Sequence, residues 1–154
     1  MFMRSAIGRL LAVALMAAVA LVAGPAPAAT PVQTKYANKV VEVVNTIRAN
    51  NDQAKLKKNA CLTRFAVKRA EYLAKAKDKA LPHSNLATIQ KACGVGWVGE
   101  NVAYGALTAK QMVQMWMNSP LHKQNILLPQ FRLTGGAVRK SGGVWWAAQV
   151  FGKK

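Results

Sequence analysis

Leu133-Thr134-Gly135-Gly136-Ala137-Val138-Arg139-Lys140-Ser141-Gly142-Gly143-Val144-Trp145-Trp146-Ala147-Ala148-Gln149-Val150-Phe151 decides the fold. Ser141-Gly142-Gly143 is a hairpin turn signal, and it separates two runs, 133–140 and 144–151, that read as strands. In the second run Val144, Trp146, Ala148 and Val150 share one face, because side chains alternate along a strand. Trp145, Ala147, Gln149 and Phe151 share the other. Both sets are largely apolar, so this strand is predicted to be central and covered on both faces.

Working back from the hairpin, the pattern becomes helical. Leu121 to Leu127 reads as a short helix carrying His122, set off by Pro120. Thr108 and Gln111 form a capping box, opening a helix with Met112, Met115 and Trp116 on one face. Residues 100–104 read as a strand, with Val102 and Tyr104 on one face and Asn101 and Ala103 on the other. Gly99 and Gly105 are expected to permit backbone turns. Trp97 lies in a glycine-rich loop, either packed or lining a ligand groove. Residues 86–92 suggest a helical turn. A helix over 60–79 turns Leu62, Phe65, Ala66, Leu73 and Ala76 inward and stops at Leu81-Pro82, just before His83. Tyr36, Val40, Val43, Val44 and Ile47 predict a first helix over 33–50. Helices early and strands late define an α+β domain, with helices packed on an antiparallel sheet.

The start of the chain reads differently. Arg4 and Arg9 precede an apolar run over 10–23, followed by Gly24-Pro25-Ala26-Pro27-Ala28-Ala29. This is the pattern of a secretory signal over 1–29, leaving 30–154 as one domain. The rival reading is an uncleaved anchor, but the run falls short of the ~20 residues that span a bilayer. The mature domain is therefore expected to be secreted, monomeric and free of a transmembrane span. In an oxidising compartment Cys61 and Cys93 favour one disulfide, which would stabilise the fold by ~3–4 kcal/mol. Two buried thiols are the alternative. Twenty-two Lys and Arg against five Asp and Glu give a formal charge of +17, or +15 without Arg4 and Arg9. Such a charge suits anionic lipid or cell-envelope partners, or is simply a solvated basic surface. No nucleic-acid module signature is present, so no specific nucleic acid is expected.

Chemistry concentrates in a few positions. The chain has two histidines, His83 and His122, both in turn-like phrases, and Glu100 lies between them. Ser84, Asn101 and Ser119 flank them and complete a candidate cleft. Two imidazoles and a carboxylate are three possible ligands for zinc or another divalent cation, with a position left open for water. They are equally a hydrogen-bonded polar cluster. Neither H-E-x-x-H nor G-x-S-x-G occurs, and Ser84 and Ser119 sit where a turn or helix takes a cap. Catalytic roles for His83, Glu100 and His122 are thus candidates only.

Four phrases occur in order: Pro82-His83-Ser84, Gly99-Glu100-Asn101-Val102, the run from Trp116 through Ser119-Pro120-Leu121-His122 to Leu127, and Gln149-Val150-Phe151-Gly152. Together they resemble the CAP superfamily (cysteine-rich secretory proteins, antigen 5, pathogenesis-related 1), in its bacterial form. Asn45-Thr46-Ile47-Arg48 resembles the family's first-helix N-x-x-R. The likeness covers the chain from about Val32 to Gly152. It implies a three-layer α–β–α sandwich with a central antiparallel sheet. It also implies a cleft of two His and two acids, mapped here to His83, Glu100 and His122, with Asn118 or Ser119 where a second Glu stands in many eukaryotic members. The expected function is a secreted module binding lipid or another envelope ligand at the His/Glu cleft. The alternatives are a metal-assisted extracellular hydrolase and an envelope protein retained by charge.

Overall fold

A computed structural model describes residues 28–154, so most of the expected leader lies outside the described residues. Nine elements follow in order: α1 (Pro31–Ala49), β1 (Lys57–Lys58), α2 (Ala60–Ala76), α3 (Leu86–Cys93), β2 (Val98–Gly105), α4 (Ala109–Met117), α5 (Pro120–Leu127), β3 (Leu133–Ser141) and β4 (Val144–Gly152). The sheet order is β1-β3-β4-β2. The β3–β4 and β2–β4 pairs are antiparallel, and β1 joins β3 in parallel through Lys57↔Leu133 and Lys58↔Thr134. The expected antiparallel sheet therefore carries one short parallel addition.

The hairpin forms as expected. Ser141 pairs with Val144, and Gly142 and Gly143 take φ of +59° and +75°, the left-handed values a two-residue turn needs. β4 is interior. Trp146, Ala148 and Val150 pack with Leu62, Leu73 and Ile89 of α2 and α3. Ala147 and Phe151 pack with Val44, Met112 and Trp116 of α1 and α4. Two cores on opposite faces of one sheet make the α–β–α sandwich.

Local chemistry sets the element ends. Thr30 and Gln33 cap α1 reciprocally, with Pro31 in the first turn, and Thr108 and Gln111 do the same for α4. α2 stops at Ala76, short of the expected 79, because Lys77 turns left-handed at φ +50°. Cys61 and Cys93 are bonded, tying the start of α2 to the end of α3. No helix among the described residues is long and apolar enough to cross a membrane.

Close approach explains three further features. A Cβ on Gly135 would lie 2.1 Å from the Thr63 backbone nitrogen, so α2 rests directly on β3 there. Gly99 and Gly105 serve the same purpose rather than turning the chain: neither has a positive φ, and an added Cβ would meet Asn125 Oδ1 at 2.7 Å or Leu107 Cγ at 2.9 Å. Fully buried Arg48 donates to the carbonyls of Ala54, Ile126, Leu128 and Phe131, fastening α1 to the end of α5 and the segment beyond it. Met115, expected inward with Met112 and Trp116, is instead exposed.

Candidate functional site

Alternation along β2 sorts its side chains between the two helical layers. Val102 packs in the core beneath α2, and Glu100, two residues earlier, faces the same way. Its carboxylate is completely buried. Oε1 accepts from the Ser84 backbone N–H at 2.9 Å and lies 3.0 Å from His83 Nδ1. Oε2 accepts from the Ser84 hydroxyl at 2.6 Å. Arg69 Nε stands 3.8 Å from Oε1, an ion pair without a hydrogen bond. Glu100 thus clasps the loop after α2 against the sheet and leaves the His83 ring half exposed. Ser84 is not the cap that its sequence position suggests; it binds Glu100, while Asn85 caps α3.

The opposite face of β2 holds Asn101, fully buried. Its Nδ2 donates to the His122 carbonyl at 3.1 Å, and its Oδ1 accepts from Asn125 Nδ2 at 2.9 Å. Asn125 Nδ2 also donates to the Glu100 carbonyl, and Trp116 Nε1 donates to that of Val102. These two carbonyls point away from β4, on the outer edge of β2. Asn125 and Trp116 therefore cap the polar groups that an edge strand leaves unpaired. Ser119 stands at the N-cap of α5 but makes no side-chain cap bond.

His83 and His122 come from opposite helical layers, near enough to this edge for the charge of one to act on the other. Burial pushes the His122 imidazole below its ordinary value of 6.5, and the charge of His83 pushes it further in the same direction. Among the described residues no group of three or more His, Cys, Asp or Glu is arranged to hold a metal ion. The geometry joins His83, Ser84 and Glu100 tightly, brings His122 into electrostatic reach, and ties Asn101 to the His122 carbonyl and Asn125, while the Ser119 side chain joins none of these bonds. Arg69 is a member that sequence reasoning misses. It lies three residues after inward Ala66 and four before inward Leu73, at the margin of the buried face, but nothing in its residue type sets it apart from the other basic residues of the helix.

A second concavity lies past the other end of β2. It is a hollow of about 540 Å³ between the start of α1, the segment before α4 and the β3–β4 turn. Tyr36 stacks on Trp145 with centroids 4.5 Å apart and donates its hydroxyl to the Leu107 carbonyl at 2.8 Å. Burial pushes the Tyr36 phenol up to about 12, so it remains a donor at every physiological pH. Val32 and Leu107 extend the apolar lining, and Lys35 and Lys39 line the same hollow. Lys140 Nζ lies 5.0 Å from the Trp145 ring centre. Trp97 is elsewhere, exposed, with Lys153 Nζ 5.1 Å from its ring centre.

An α–β–α sandwich with an imidazole–carboxylate cluster at the edge of its sheet defines a class of protein, and the comparisons agree with it. The profile of the cysteine-rich secretory protein family matches residues 41–151. The chain belongs to that family, the CAP superfamily. It is 31% identical over 126 residues to the Bacillus subtilis protein YkwD, a match covering 77% of this chain and 48% of that protein. The chain thus spans about half the length of this relative. An outer surface protein of Borrelia burgdorferi has the same fold, with a TM-score of 0.70 at 19% identity over 79% of this chain and 95% of that one. So does an extracellular SCP-domain protein of Bacillus anthracis, with a TM-score of 0.69 at 21% identity over 86% of this chain and 45% of that one.

Proposed function

We propose that this chain is an exported CAP domain that binds an anionic amphiphile, an acyl chain with a negatively charged head, in the hollow between Tyr36, Leu107 and Trp145. The observation that carries this reading is the pairing of an apolar, aromatic lining with Lys35 and Lys39 in one concavity of about 540 Å³. That volume lies within the usual range for small-ligand sites. Six methylenes buried there would contribute about 5 kcal/mol. Association costs at least about 4 kcal/mol, so the charge of Lys35, with Lys39 shared with Glu42, decides whether binding is useful. The Arg-led apolar leader pattern, the disulfide and the extracellular relative support export.

Titration with a dansyl-labelled fatty acid tests the reading. Expected is saturable fluorescence enhancement, weakened about tenfold or more by Leu107→Arg and by replacing the carboxylate with an alcohol. Absence of saturation, or indifference to Leu107→Arg in a folded variant, overturns it.

A second reading concerns the two imidazoles. If His83 donates its Nδ1 proton to Glu100, its Nε2 keeps a free lone pair, within electrostatic reach of His122. His83 and His122 would then ligate a divalent cation, and Glu100, whose oxygens are taken by Ser84 and His83, would orient the ligand from behind. Calorimetry with zinc, repeated on His83→Ala and His122→Ala, checks this; equal heats in all three proteins reject it. A serine hydrolase is less well supported. The Ser84 hydroxyl donates to Glu100 rather than to an imidazole, so it lacks the base that activates a nucleophile.

A further inference from the structure

β1 pairs with only the first two residues of β3, so among the described residues the rest of that strand has no neighbouring strand on its outer side. The ladder fixes which groups face outward. Lys57 and Asn59 N–H donate to the carbonyls of Arg132 and Thr134, so by strand alternation Gly136, Val138 and Lys140 also present their peptide groups to this side. Among the described residues the N–H groups of Gly136 and Val138 have no hydrogen-bond partner, and the Val138 carbonyl accepts only from Arg139 Nη1.

This edge is the floor of a groove. One wall is α1, through Thr34 and Ala37, and the other is α2, through Thr63 and Val67. These four side chains are small or short, and the longer Gln33, Asn38 and Arg139 complete the lining. The middle section encloses about 150 Å³ and continues into a wider section of about 390 Å³ near Ser141. Ala28 and Ala29 lie along its mouth. Arg64, Lys68 and Lys75 are exposed on α2 beside the groove, and Arg139 and Lys140 belong to β3 itself. The nearby acid, Glu71, is paired with Arg139.

We propose that this groove binds an extended, acidic peptide segment, which adds to the sheet as a strand beside β3. Unpaired peptide groups on a sheet edge are a template for another strand. Charge selects among occupants. A second copy of this chain would bring the same basic edge against itself, whereas a strand carrying Glu or Asp meets Arg64, Lys68, Lys75 and Lys140. The site shares no lining residue with the Tyr36–Trp145 hollow, although Lys140 also lies over the Trp145 ring, and it does not depend on what that hollow binds.

The test uses a fluorescein-labelled peptide of alternating Glu and Val, read by anisotropy and by amide exchange on the folded protein. Expected are saturable binding and slowed exchange at Gly136 and Val138. Affinity should fall about tenfold or more when alternate peptide nitrogens are methylated, and similarly with Lys in place of Glu. The variant Arg64→Glu/Lys75→Glu should lose affinity to a similar degree. Binding unaffected by N-methylation would mean charge attraction alone and would overturn the proposal. So would protection confined to other strands, or no saturable binding.

Discussion

The two edges of the sheet are treated in opposite ways. On β2, the Glu100 and Val102 carbonyls are capped by Asn125 and Trp116, and both helical layers close around the edge to present His83 and His122. On β3, no strand pairs beyond Thr134 among the described residues, and the edge, with Val138 buried, floors a narrow groove bordered by cations. A capped edge holds side chains in fixed places and suits recognition by side-chain chemistry. An open edge offers main-chain groups and suits recognition of another main chain. One sheet thus carries both modes without interference, because β4 separates them.

The largest effect should come from breaking the platform that both edges share. Gly135→Ala drives a methyl into the Thr63 backbone and should cost about 3 kcal/mol, read as a lower urea midpoint. Next is the clasp on the capped side. Glu100→Gln leaves Arg69 without its counter-charge and weakens the acceptor for Ser84, an expected loss of about 2 kcal/mol in the same assay. The edges themselves can then be compared directly. Trp116→Phe uncaps the buried Val102 carbonyl and should cost about 1.5 kcal/mol, whereas Arg139→Gln, on the unpaired edge, should cost about 1 kcal/mol, most of it from part-buried Glu71 losing its partner. Equal losses would mean that the two edges are equally protected. The smallest effect is the pH response. His122 in the folded, metal-free protein takes up a proton less readily than in the unfolded chain. Its contribution is therefore neutral at high pH, and stability falls as pH drops below about 6.5, where the unfolded form gains the proton first. His122→Gln should flatten that part of a pH–stability curve measured with EDTA present.

How far these edges can be read in advance follows from the kind of signal each leaves. β4 is legible because both of its alternating sets are apolar, a pattern only an interior strand sustains. The capped edge is legible in part: His83, Glu100 and His122 stand out as scarce residue types in Gly, Pro and Asn contexts, and the family resemblance predicts their convergence. Arg69 is not, because among twenty-two basic residues one more carries no contrast. β1 is a bare Lys57-Lys58, too short for any periodicity, so the open edge it fails to cover is invisible as well. The hollow is hidden for another reason. Tyr36, Leu107 and Trp145 are each ordinary core types, and only the packing of α1 against the end of the sheet brings them together. Met115 departs from its helical face because α4 turns Ala109, Met112, Val113 and Trp116 into the core.

The bond between Cys61 and Cys93 has a topological consequence. The loop bearing His83 lies wholly within the covalent ring it closes, as do the basic residues Lys77 and Lys79 at its exposed bend. A trypsin-like protease cutting after either lysine would open the ring yet sever nothing. The two fragments would travel as one molecule until a reductant arrived.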